Sequence, residues 1–195
     1  LPAAAAPGRA STFPWAVYLE LAKARLCALV LVTTTVGFIL ASGTTLNWPL
    51  LLATLLGTAA AAFGANAFNQ YLEADRDARM RRTAGRPLPT GRLTPWQART
   101  FALTMTITGP LLLALLANPL AAVLALLTAL IYVLGYTPLK VRTPLNTLVG
   151  AVVGAIPPMI GWAAATGRLD FGAWLLGAIL FFWQIPHFLA LAWLY

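Results

Sequence analysis

Three of the chain's five acidic residues, Glu73, Asp75 and Asp77, fall within a five-residue window. They close the run Asn66-Ala-Phe-Asn69-Gln70-Tyr71-Leu72-Glu73-Ala74-Asp75-Arg76-Asp77. On an α-helix, four residues advance about 400° and about 6 Å. Asn69, Glu73 and Asp77 then share one face, Asn66 lies near it, and Asp75 points away. Oxygen donors in file along one helix suit Mg2+. That ion takes a few carboxylates, keeps several waters and shares the remainder with substrate phosphates. A cation cluster follows: Arg79, Arg81, Arg82, then Arg86 in Arg86-Pro87-Leu88-Pro89. The prolines are expected to force an extended turn that holds Arg86 on a rigid loop. Acids that bind a metal, beside fixed cations, make a diphosphate site: the metal bridges the oxygens and arginine neutralises the rest. A plainer reading has the acids solvating a helix end and pairing with Arg76, Arg79 and Arg81, with the arginines only setting topology. Against it, Asn69 and Glu73 lie at or inside the apolar boundary, where such groups are functional candidates.

The elements that position these residues belong in lipid. Of 195 residues, 60% are hydrophobic and only 9% charged, and the mean hydropathy is +0.80. Soluble domains are roughly 45–50% apolar and about 25% charged, so this chain lacks the polar residues a wet surface needs. The net charge of +8 rests on 13 Lys and Arg against five acids. In a soluble protein that balance suggests nucleic acid; here it points to anionic phosphates at a membrane surface. The single cysteine, Cys27, rules out an intrachain disulfide and reads as a small packing residue.

A spanning helix needs about 20 mostly apolar residues. Six stretches qualify: 24–42, 48–70, 98–117, 119–137, 145–165 and 171–193. Ser42-Gly43 and Asn47-Trp48-Pro49, Asn118-Pro119, the Pro138 to Pro144 segment, and Gly167 to Asp170 mark turns between them. Pro110, Pro157-Pro158 and Pro186 fall inside apolar runs and are expected to kink or break their helices. The predicted fold is therefore an all-α, polytopic membrane bundle. With six crossings, Arg9, Lys23, Arg25, Arg76, Arg79, Arg81, Arg82, Arg86, Arg92, Arg99, Lys140 and Arg142 lie on one side and Arg168 alone on the other. The positive-inside rule makes the crowded side cytoplasmic. Trp48, Trp96 and Trp193 read as interfacial anchors, and Glu20, Lys23 and Arg25 as an interfacial helix start rather than a site. Residues 1–14 read as a flexible tail or linker. Leu1 and Tyr195 both look like cut ends, so the chain is expected to be a fragment.

The run Asn69-Gln70-x-x-Glu73-x-x-x-Asp77-x-x-Met80-x-Arg82-Thr83-x-x-Arg86-Pro87-Leu88 resembles the first acidic motif of the UbiA superfamily of intramembrane prenyltransferases. Its Asn-Gln…Glu…Asp version is similar to the heme-farnesylating branch, the heme O synthases. Tyr136-Thr137-Pro138-Leu139-Lys140 with Asn146, the stretch Gly150 to Gly167, and Trp183-Gln184-Ile185-Pro186-His187-Phe188 resemble later motifs of that branch, in order. The resemblance covers residues 15–195 and implies the N-terminal two-thirds of a domain with about nine spans. Two departures stand out. Lys23-Ala24-Arg25 replaces the usual Lys-Pro-Arg, and the second acidic motif does not occur before Tyr195. Half of the metal–diphosphate site is then expected to be missing and the 195 residues alone to be inactive.

The resemblance implies transfer of a farnesyl group from farnesyl diphosphate to a vinyl group of heme B, forming heme O for terminal oxidases. The alternative is another UbiA-type enzyme acting on an aromatic acid or quinone precursor. Mg2+ on Asn69, Glu73 and Asp77 would face the departing diphosphate, with Arg82, Arg86 and Lys140 neutralising its charge. His187, the only histidine, is a candidate contact for heme iron or a propionate, or a hydrogen-bonded structural residue. The implied location is a bacterial inner membrane or a mitochondrial inner membrane, acids on the cytoplasmic or matrix side. Heme A synthase or a fused upstream domain would be a partner. From a different class, a transporter or lipid-binding protein would use the acids as an ion site. Its broken helices are expected here, but no inverted repeat is visible.

Overall fold

A computed structural model describes residues 14–194, and all their regular structure is helical. The expected tail, apart from Pro14, lies outside the described residues, as do Arg9 and Tyr195. A short helix α1 (Pro14–Leu21) turns at Ala22 and Lys23 into α2 (Ala24–Ser42). Then come α3 (Trp48–Asp77), α4 (Pro95–Leu116) and α5 (Pro119–Leu130). The latter runs on through a π-helical turn, Ile131–Tyr136, into α6 (Thr137–Leu139). The last two helices are α7 (Asn146–Thr166) and α8 (Phe171–Leu194). Six of these stretches are long and apolar enough to cross a membrane: α2, α3, α4, Pro119–Leu139, α7 and Phe171–Ala190. They match the six expected spans. The main extension is α3, which stays helical to Asp77 and so carries the whole acidic run.

Local chemistry sets the boundaries. Asn47 caps α3 by accepting from the Leu50 amide at 3.1 Å, satisfying a donor that has no partner inside the helix. Thr94 and Gln97 form a reciprocal capping box ahead of Pro95, which starts α4 three residues before the expected span. Asn118 caps α5 through Ala121 at 2.9 Å. Its amide also donates to the Ala163 and Ala164 carbonyls of α7, which pins the tight turn to the bundle. Pro110, Pro157, Pro158 and Pro186 all lie inside continuous helices, so none breaks its helix. A proline removes one intrahelical hydrogen bond, and packing against neighbours outweighs that loss. The irregular turn falls instead at Ile131–Tyr136, which contains no proline.

Small residues bring the helices together. A Cβ on Gly109 of α4 would collide with Gly57 and Ala61 of α3, and one on Gly161 of α7 with the Thr34 carbonyl of α2. These glycines serve close backbone approach, the device membrane helices use in place of hydrophobic association. One apolar cluster, around Phe38, Leu51, Leu113, Ile156 and Ile160, fills the middle of the bundle. A second, with Val17, Leu21, Ala67, Leu93, Ala98 and Ala102, seats α1 and the α3–α4 loop against the end of α3. Leu29, Val32, Leu52, Leu115 and Phe182 face outward, as lipid-facing residues do. Trp48 and Trp96 are exposed at helix starts, as interfacial anchors should be, and Trp193 is exposed near the end of α8. Cys27 is buried.

Candidate functional site

The last three turns of α3 carry a buried polar face. Asn69, Glu73 and Asp77 are 1%, 4% and 1% exposed, while Asp75 is exposed. The 3.6-residue period predicts that split. Buried carboxylates need partners, and each donor on this face has its own cation. Arg86 meets Asp77 at 2.5 Å. Lys140 reaches both oxygens of Glu73 at 3.2 and 3.3 Å. Lys23 donates to Asn69 Oδ1 at 2.7 Å. Arg76, Arg79 and Arg81 are exposed, and among the described residues none of them pairs with an acid as the plainer reading expects.

The segment after Asp77 differs from the expected extended turn. It is a series of close turns, with Thr83 and Ala84 both donating to the Met80 carbonyl, and Thr90 to that of Arg86. Proline's fixed φ suits the leading position of such turns as well as an extended chain. Arg86 is nevertheless held in place, because Thr83 Oγ1 donates to the Asp77 carbonyl at 3.0 Å and folds the loop back over the helix end.

Lys140 arrives from the other side by way of the π turn. Thr137 Oγ1 donates to the Tyr132 carbonyl at 2.9 Å and accepts from Asn69 Nδ2 at 3.2 Å. Tyr132 and Tyr136 stack at 5.3 Å, and the Tyr132 hydroxyl donates to Asn66 Oδ1 at 3.4 Å. Local π turns are frequent at functional sites, and this one carries Thr137 and Lys140 onto the acidic face.

Three contributors escaped the sequence reading. Lys23, taken there for an interfacial residue, sits on the acidic face. Burial, with repulsion from Arg86 and Lys140, outweighs the pull of Glu73 and Asp77 and lowers its pKa to about 8. Gln70 turns away from the acids, and its Nε2 donates to the Glu20 and Leu21 carbonyls at 3.0 and 2.8 Å. Thr137 was read only as part of a motif. A charged residue interrupting an apolar run was the available signal for Lys23; nothing in the spacing marks the other two.

The donor set fits a hard divalent cation. Among the described residues no cluster of three His, Cys, Asp or Glu side chains forms, so the face supplies two carboxylates and an amide oxygen. Asp77 Oδ1 is buried without a hydrogen-bond partner. Such a set leaves coordination to be completed by phosphate oxygens, as Mg2+ prefers.

Residues 30–195 match the model of the UbiA prenyltransferase family. This chain belongs to that family. The motif resemblance is borne out. This UbiA-family chain is 49% identical over 177 residues to the mitochondrial protoheme IX farnesyltransferase of Homo sapiens, covering 91% of the chain and 40% of that protein. It is 49% identical over 190 residues to the protoheme IX farnesyltransferase of Anaeromyxobacter sp. (strain Fw109-5), covering 97% of the chain and 64% of that protein. The chain thus spans less than two-thirds of these relatives' length. A solved structure described as digeranylgeranylglyceryl phosphate synthase superposes with a TM-score of 0.77 at 20% identity, over 86% of this chain and 58% of that one. A UbiA homolog from Aeropyrum pernix K1 gives 0.66 at 21% identity, over 90% of this chain and 62% of that one. These two likenesses establish the fold.

Two expected site residues of this UbiA-family chain stay apart from the acids. Arg82 is exposed and makes no ion pair or hydrogen bond among the described residues. His187 is exposed on α8, its ring stacked on Trp183 at 5.1 Å. At the opposite end of the bundle, Arg168 pairs with Asp170 at 3.4 Å. The cations gathered around Glu20, Asn69, Glu73 and Asp77 therefore share one end, as the charge bias requires.

Proposed function

We propose that the chain carries the donor half of a Mg2+-dependent heme B farnesyltransferase, which makes heme O from farnesyl diphosphate. The carrying observation is the buried face of Asn69, Glu73 and Asp77, faced by Arg86 and Lys140. Relatives named protoheme IX farnesyltransferase support the choice of donor and acceptor. Their relation is much closer than that to the digeranylgeranylglyceryl phosphate synthase structure.

Asn69, Glu73 and Asp77 would hold the metal, which supplies divalent charge to the diphosphate oxygens when bound. Arg86 and Lys140 exchange part of their pairing with the carboxylates for those same oxygens. They stabilise negative charge as the allylic C–O bond breaks and diphosphate leaves. The farnesyl cation is attacked by the vinyl carbon of heme B, forming the new C–C bond. Water then adds to the resulting cation as hydroxyl and releases a proton. The apolar interior keeps water out until that last step. Arg82, on the exposed loop, would meet the diphosphate as it enters. His187 would contact the acceptor heme, not the donor. The charge bias puts the acidic end on the cytoplasmic or matrix side.

The test offers farnesyl diphosphate with heme B or 4-hydroxybenzoate to the full-length protein. Heme O, identified by chromatography and mass, is the expected product. Prenylation of hydroxybenzoate alone would overturn the acceptor assignment, and no prenylation of either would overturn the reaction.

A further inference from the structure

Arg86 and Lys140 reach the acidic face from two different segments, and a third segment, the corner between α1 and α2, brings Lys23 to the third donor. We propose that Lys23 is a diphosphate-binding residue of this site, positioned by Gln70. This rests on the diphosphate reading above. Lys23, Lys140 and Arg86 contact Asn69, Glu73 and Asp77 in turn, so three cations follow three successive donors along α3. An ammonium on a neutral amide oxygen makes a weaker pairing than one on a phosphate. A diphosphate at this face therefore offers Lys23 a better acceptor within reach of its present one.

The backbone singles out the same residue. Lys23 has φ 52° and ψ 51°, and it is the one non-glycine residue with positive φ among the described residues. That left-handed conformation is costly for a lysine and free for glycine. The corner needs the turn; it does not need a lysine to make it. Strained positions of this kind gather at ligand clamps. At the end of α1 the Glu20 carbonyl accepts the Lys23 amide at 3.1 Å and the Leu21 carbonyl is left over by the turn, and Gln70 Nε2 donates to both. Glu20 is held from outside by a two-point pairing with Arg92 at 2.7 and 2.8 Å. Asn69 Nδ2 is taken by Thr137, which leaves Oδ1 turned to Lys23. Gln70 thus has a role a carboxylate at the same position could not fill, because an ionised carboxylate accepts only.

The test uses the full-length protein and calorimetric titration with inorganic pyrophosphate in Mg2+. Lys23→Gly keeps the left-handed corner, relieves its strain and removes the charge. It is expected to weaken pyrophosphate binding about tenfold to a hundredfold, the scale of a lost charged hydrogen bond, with thermal stability unchanged or raised. Lys23→Asn, which also tolerates the corner, gives the same loss, and Lys23→Arg restores most of the affinity. Gln70→Glu weakens binding by displacing the corner. The KM for farnesyl diphosphate rises in the same order. Wild-type affinity in Lys23→Gly and Lys23→Asn, alongside weakened binding in Lys140→Met, would overturn the role of Lys23 while leaving the diphosphate site standing. Absence of pyrophosphate binding by the wild-type protein would overturn both.

Discussion

The acidic end of α3 and the second half of α8 both carry residues that the sequence marked for chemistry, and the structure treats them differently. On α3, Asn69, Glu73 and Asp77 are buried, and each meets a cation from outside the helix: Lys23 and Lys140 from distant segments, Arg86 from the loop that follows. On α8, His187 is exposed, and its ring contacts come from its own helix, Trp183 and Phe188. The difference lies in repetition. Three donors at four-residue spacing define a face, and a face of buried acids must be matched by cations wherever the fold supplies them. A single histidine defines no face, so nothing in its surroundings is obliged to answer it.

Substitutions on the two helices should separate accordingly. Glu73→Gln or Asp77→Asn removes charge at the centre of the face and is expected to lower prenyl transfer by about a hundredfold to a thousandfold, the scale of a lost stabilising contact to developing charge. Steady-state heme O formation measures it. Lys140→Met and Arg86→Met should each cost about tenfold to a hundredfold, seen in kcat/KM for farnesyl diphosphate. Gly109→Val, in the packed middle where α3 meets α4, should instead lower stability by about 1–3 kcal/mol through overpacking. Thermal unfolding of the detergent-solubilised protein reads that effect, and pyrophosphate affinity in the protein that stays folded should not change. His187→Ala should leave pyrophosphate affinity within about twofold, as an exposed substitution does, while raising the KM for heme B. A large fall in pyrophosphate affinity for this variant would erase the contrast between the two helices.

The spans were legible because apolar runs near 20 residues have few other uses, and the acidic face because helical periodicity is local. The rest was set by long-range contacts. Lys23 meets Asn69 across 46 positions, and Thr137 meets it across 68. No local pattern encodes either meeting. Gln70 was legible as a family signature, but its task, holding the carbonyls at the end of α1, shows only when α1 is in place. The prolines, expected to kink or break their helices, break none of them. Pro110, Pro157, Pro158 and Pro186 mark sites where a helix loses a hydrogen bond, yet the neighbouring helices keep it continuous, and the irregular turn arises at Ile131–Tyr136 without one.

The central claim is that the buried face of α3 binds a metal-bridged diphosphate. Its most direct test is heme O formation by the full-length protein as Mg2+ is varied, in the wild type and in Glu73→Gln. The expected result is activity that vanishes on chelation, returns with Mg2+ in the wild type, and stays near background in Glu73→Gln at every Mg2+ concentration. Full activity in the presence of chelator, or a Glu73→Gln enzyme matching the wild type, would contradict the account.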